Sequence, residues 1–160
     1  MKLSVIAAGR LKPGPEKSLA EDYLTRAAGL GRKCGISRIG VTEFNESQAS
    51  AAAARMAEEG RMVAGALPAK AFTVVLDERG KALPSEAFAE LLRRHLEGGT
   101  SDMAFLIGGP DGHAPDIRDG AGLLMSFGPM TWPHRLVRVM LFEQLYRAVT
   151  IIAGHPYHRV

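Results

Sequence analysis

Three short loops hold most of the residues in this chain that suit ligand binding. They read Asp77-Glu78-Arg79-Gly80-Lys81, Gly108-Gly109-Pro110-Asp111-Gly112 and Gly128-Pro129-Met130-Thr131-Trp132-Pro133. Glycine lacks a Cβ, so its backbone admits a ligand closely and tolerates positive φ. Backbone amides in such loops can read the edge of an adenine. Glycine and proline clusters are also the strongest turn signals, and any one of these loops alone reads as a turn. All three follow short apolar runs, however, and together they point to a site.

A second group of chemical residues sits in the segment Gly154-His155-Pro156-Tyr157-His158-Arg159-Val160, behind a long helical stretch. Tyrosine and histidine can stack on an unpaired base, and arginine can hold phosphate. Chain ends more often fray, so a tail without function is the competing reading. Zinc suits His155 and His158 poorly: they lack partners of the right type nearby, and the only cysteine, Cys34, stands apart. No metal is expected.

Other familiar chemistries are missing. There is no G-x-x-x-x-G-K-[ST] phosphate loop. Gly29-Leu30-Gly31-Arg32-Lys33-Cys34-Gly35 has the wrong spacing for a dinucleotide fingerprint and precedes a strand instead of following one. No G-x-S-x-G elbow is present, and Ser126 lies inside a strand pattern, which argues against a hydrolase.

The elements that must position these loops alternate between strand and helix. Apolar runs predict strands over residues 3–8, 36–44, 72–76, 103–107 and 123–127. Three of these are nearly continuous, as strands buried on both faces of a parallel sheet should be. Helices are predicted over about 15–28, 46–64 and 133–152, and from Ser85, a good N-cap, to the stop at Gly98-Gly99. The third helix places Phe88, Leu91, Leu92, His95 and Leu96 on one face. The last carries Val137, Met140, Leu141, Gln144, Leu145 and Ala148 as a stripe, with Glu143 and Arg147 paired on another face. The pattern implies an α/β fold with an open, mostly parallel sheet flanked by helices. Ligands in such sheets bind beyond the carboxyl ends of the strands, so the loops after Leu76, Ile107 and Phe127 are the ones to inspect.

The chain has 160 residues, 46% of them apolar, which suits a single domain (1–160) with a sizeable core. No apolar run is long enough to span a membrane, and the start is too short for a signal segment. One cysteine allows no internal disulfide, which is compatible with a cytoplasmic setting. A net charge of +3 permits RNA binding without demanding it. Lys2, Arg10, Lys12 and Lys17 can face RNA but read equally as solvated charges, His95 as a border of the core, and His113 as a possible solvated turn residue.

Several segments taken in order resemble one family. They are Leu106-Ile107-Gly108-Gly109-Pro110-Asp111-Gly112, then Leu123 through His134, then Arg138-Val139, Glu143 through Ala148, and His155-Pro156-Tyr157-His158-Arg159. Over essentially its whole length the chain resembles the RlmH family, the smallest of the SPOUT-type RNA methyltransferases. The resemblance implies a SPOUT-type sheet with a C-terminal trefoil knot, and a homodimer. It implies S-adenosyl-L-methionine as cofactor, cradled by Leu76, Gly108, Phe127, Gly128, Pro129, Met130, Thr131 and Trp132. It further implies methylation of N3 of a pseudouridine in 23S rRNA, with the assembled ribosome as partner and no membrane involved.

On residue type and resemblance together, the catalytic candidates are His158 as base, Arg159 as the stabiliser of developing charge or holder of phosphate, and Tyr157 as a stacking platform. Imidazole is the side chain that gains and loses its proton near neutral pH. Many relatives are expected to end in an acidic residue where this chain has Val160. Two rival readings remain: a non-catalytic ribosome-binding protein, which needs the tail but not the loops, and a knotted enzyme of tRNA, which would want a separate RNA-binding domain.

Overall fold

The computed structural model describes residues 1–158. Five strands, β1 (Lys2–Ala8), β2 (Arg38–Phe44), β3 (Phe72–Ala82), β4 (Asp102–Ile107) and β5 (Leu123–Ser126), form one sheet in the order β2-β1-β4-β3-β5. Every pairing is parallel. Five helices accompany them: α1 (Pro15–Gly31), α2 (Ala52–Ala66), α3 (Ser85–Glu97), α4 (Pro115–Asp119) and α5 (His134–Ile152).

The period of two along the strands sends side chains to opposite faces. Leu3, Val5, Ala7, Val74, Met103, Phe105 and Ile107 join one core, under α1, α3 and α5. Ile6, Val75, Ala104 and Leu106 face the other way, where Val63 of α2 covers them. Both faces are thus dry at β1 and β4, which explains the unbroken apolar runs. β2, one of the two edge strands, buries no residue fully. Among the described residues, no helix is long and apolar enough to cross a membrane.

The sequence expectations for the elements need four corrections. The second helix begins at Ala52, not near residue 46. Residues 46–51 are held instead by local bonds: Ala49 N–H donates to Ser47 Oγ, and Arg55 takes the carbonyls of Ala49 and Ser50. Ser85 is no cap; Pro84 precedes the helix, and the Ser85 hydroxyl donates to Gln144 Oε1 of α5 at 2.8 Å. Ile36 is buried but lies before β2, its N–H closing the end of α1 on Gly31 O. β3 does not stop at Leu76. It pairs with Met125 at Leu76 and again at Lys81, with residues 77–80 bulging between. A Cβ on Gly80 would sit 2.6 Å from the Met125 backbone, so only glycine lets the bulge lie against β5 this closely.

Candidate active site

The bulge within β3 and the carboxyl ends of β4 and β5 open into one cavity of about 570 Å³. That is the size of a small-molecule site. Leu76, Gly108, Phe127, Gly128, Met130, Thr131 and Trp132 stand in its wall, so the expected cofactor-binding residues converge there, except Pro129, which does not line it. Asp77, Asp111, His113, Arg118 and His134 supply polar groups.

The central loop is a tight turn. Gly112 donates its N–H to Gly109 O at 3.0 Å and has φ of 80°. Gly108 cannot carry a side chain there, because a Cβ would lie 2.9 Å from the Gly112 carbonyl carbon. α2 braces this loop from behind. Arg55 forks onto Asp111, with Nε–Oδ2 at 2.6 Å and Nη2–Oδ1 at 3.0 Å. The guanidinium holds the Asp111 carboxyl below its ordinary pKa. One turn along α2, buried Glu59 accepts the Ser47 N–H at 3.0 Å and packs against Gly109. In the β5 loop, the Ser126 hydroxyl donates to Gly128 O at 2.8 Å and accepts from Gly128 N–H at 3.1 Å, fixing a φ of 109° that favours glycine.

His113 is not a solvated turn residue: only 5% of it is exposed. Its Nε2 is buried without a partner. Burial lowers its pKa, and the Leu106 carbonyl and Asp77 oppose this only in part. His134 shifts the same way, again by burial, although Glu46 Oε1 lies 3.7 Å from its Nδ1.

These depressed histidines set a pH dependence. Between their folded pKa values and the ordinary value near ~6.5, the unfolded chain binds more protons, so stability falls as pH falls through that window. Thermal unfolding midpoints measured from pH 7.5 to 5 should therefore drop for the parent chain and drop less for His113→Leu. Parallel curves would mean that His113 titrates normally in the folded state.

One helical turn beyond His134, Arg138 is fully buried. Its guanidinium pairs with Glu43 of β2 and takes the carbonyls of Ala8, at 3.0 Å, and Gly9. It ties the start of α5 to the carboxyl ends of β1 and β2, beside the cavity. The sequence marked Arg138-Val139 only as a segment of the family resemblance, and no local pattern separated a buried Arg138 from a surface arginine.

Tyr157 and His158 are absent from the cavity wall. The tail folds back on α5 and α3 instead. Tyr157 packs against Tyr146 with ring centroids 4.6 Å apart and planes inclined at 53°, lies under Arg147 at 5.0 Å, and donates its hydroxyl to Glu143 Oε1 at 3.1 Å. Burial, Tyr23 and Glu143 together raise its pKa. His158 Nε2 lies 2.9 Å from Glu86 Oε1 of α3, a carboxylate that no sequence pattern singled out. Arg159 and Val160 lie outside the described residues. No cluster of three metal-ligating side chains occurs among the described residues.

The family model described as "Predicted SPOUT methyltransferase" matches residues 1–158. A protein of Rhodopseudomonas palustris (strain HaA2) called "Ribosomal RNA large subunit methyltransferase H" is 52% identical over 159 residues, spanning 99% of both chains. Proteins of the same name from Bradyrhizobium diazoefficiens and Allorhizobium ampelinum are 51% and 50% identical over the same share of both chains.

Proposed function

The chain belongs to the SPOUT methyltransferase family, and from that membership we propose that it is an S-adenosyl-L-methionine-dependent methyltransferase of 23S ribosomal RNA. The observation that carries this reading is the full-length match to ribosomal RNA large subunit methyltransferases H, in a chain whose three glycine loops meet at one cavity.

The residues present fit the cofactor. The cavity has room for it, three stretches of accessible backbone line it, and apolar Leu76, Ile107, Phe127 and Val137 alternate with carboxylates. Leu76, Gly108 and the segment 127–132 would hold it, Pro129 by shaping the turn. When bound, the cofactor supplies a methyl group made electrophilic by a sulfonium. Burial lowers the pKa of His113 and His134, which disfavours a charged imidazole beside a cationic ligand.

The proposed target is N3 of a pseudouridine, and the proposed substrate is the assembled ribosome, which places the enzyme in the cytoplasm. Removing the N3 proton is the task of a base, and His158 is assigned that role, with Tyr157 stacking and Arg159 holding charge or phosphate. Because Tyr157 and His158 lie outside the wall of their own cavity, the reading requires the tail of a second copy. Exposed Met130, Trp132 and Leu136 form an apolar rim suited to such a homodimer. The trefoil knot belongs to the same proposal. It rests on membership of the SPOUT methyltransferase family.

The test is transfer of labelled methyl from S-adenosyl-L-methionine to ribosomes lacking the modification, beside ribosomes that also lack the pseudouridine. Label is expected in 23S rRNA only where the pseudouridine is present. Cofactor binding without label on either would point to another RNA. Absence of cofactor binding would leave a non-catalytic ribosome-binding protein.

A further inference from the structure

His158 is gripped at both ring nitrogens by charged groups on two different helices. Its Nε2 faces Glu86 Oε1 of α3 at 2.9 Å, and its Nδ1 faces Arg147 Nη1 of α5 at 3.4 Å. A carboxylate can only accept a hydrogen bond, and a guanidinium can only donate one. The neutral ring therefore has one arrangement that satisfies both neighbours: hydrogen on Nε2, lone pair on Nδ1. The other tautomer would set a lone pair against the carboxylate and an N–H against the guanidinium.

Both partners are themselves fixed. Glu86 sits in the first turn of α3, where its own backbone N–H and His158 hold its carboxyl below the ordinary pKa. Arg147 is anchored to Glu143, with Nε–Oε1 at 2.9 Å, and lies over the Tyr157 ring. Among the described residues, the ionisable groups facing the imidazole are thus Glu86 from α3 and Arg147 from α5, with Glu143 and Tyr157 behind Arg147.

We propose that Glu86 is a positioning residue: by accepting the Nε2 hydrogen of His158, it selects the tautomer whose Nδ1 lone pair removes the proton from the target nitrogen. In that step the N3–H bond breaks, its electron pair stays on the nitrogen, and the proton forms Nδ1–H. The ring becomes an imidazolium with its Nε2–H still on Glu86. The longer contact to Arg147 is the one that gives way, since a neutral Nδ1 must turn its lone pair to the substrate. This inference rests on the assignment of His158 as the base.

The test uses the full chain labelled with nitrogen-15. Long-range proton–nitrogen spectra of its imidazoles, recorded above pH 7.5, distinguish the two tautomers. His158 should carry its hydrogen on Nε2. Arg147 also favours hydrogen on Nε2, so the tautomer is compared in Arg147→Ala, where adding Glu86→Ala should give a mixture. Glu86→Ala alone should slow methyl transfer to ribosomes about tenfold or more, part of the ~10²–10⁴-fold that a general base contributes. Its affinity for S-adenosyl-L-methionine should not change. Glu86→Gln keeps an accepting oxygen and should restore both the tautomer and most of the rate.

Hydrogen on Nδ1 in the parent chain, or a single unchanged tautomer when Glu86→Ala is added to Arg147→Ala, would overturn the inference. Failure of the underlying assignment looks different. His158→Ala would then transfer methyl at the full rate, while the tautomer still responded to Glu86.

Discussion

Gly108→Val will bind S-adenosyl-L-methionine at least about tenfold more weakly than the parent chain, a loss of roughly 1.4 kcal/mol or more. The reason lies in the turn that follows β4. A Cβ at residue 108 would approach the Gly112 carbonyl carbon to 2.9 Å, and backbone cannot swing aside as a flexible side chain can. The Gly109–Gly112 bridge must open, and the amides and carbonyls that line the cavity move with it. Isothermal titration with the cofactor measures the loss. Gly65→Ala is the control, since a Cβ there meets nothing within 4 Å. It should leave binding unchanged and add ~0.5–1 kcal/mol of stability by raising helix propensity within α2. Equal affinity in Gly108→Val and the parent would remove the β4 loop from the cofactor site.

Arg138→Met should cost about 3 kcal/mol of folding stability, the lower end of what removing one partner of a buried ion pair costs. The side chain is fully buried, and its loss strands the carbonyls of Ala8 and Gly9 along with the Glu43 carboxylate. Glu43 is a quarter exposed, so water relieves part of the penalty. Urea unfolding reads the change as a lower midpoint at unchanged slope. Adding Glu43→Gln to Arg138→Met should recover part of the loss, because the uncompensated charge is then gone. A loss under ~1 kcal/mol would mean that desolvating the guanidinium cancels its bonds.

These two residues mark the limits of what the sequence makes legible. Gly108 stood out because glycine after an apolar strand is a local signal, and local signals survive in one dimension. The strands did too. Val5 to Ala8 and Met103 to Ile107 are apolar throughout because both faces of the sheet are covered there. Arg138 had no such signal. Its burial depends on the ends of β1 and β2, about 130 and 95 residues earlier, reaching its helix. His113 was equally opaque: a histidine in a Gly/Pro-rich loop looks solvated until α2 and β4 close around it. The continuation of β3 through Asp77-Glu78-Arg79 was hidden by polar residues that bulge away from the sheet. The tail was legible by residue type alone, and its placement against Glu86 and Arg147 required the fold.

The position of β1 has a consequence for how the chain is made. β1 is the first strand of the sheet to be made, yet it lies inside the sheet, between β2 and β4, and Arg138 closes the carbonyls of its last residue, Ala8, and of Gly9 just beyond it. β4 ends at Ile107, about a hundred residues after β1 ends, a delay on the order of 5–20 s at ordinary rates of elongation. For that time the nascent chain carries Val5-Ile6-Ala7-Ala8 with one flank unpaired, and α5, which roofs one face, emerges later still. The inner strand of the sheet thus waits for β4 during synthesis, and a chain stalled before β4 exposes an apolar strand edge that a chaperone or a neighbouring nascent chain can bind.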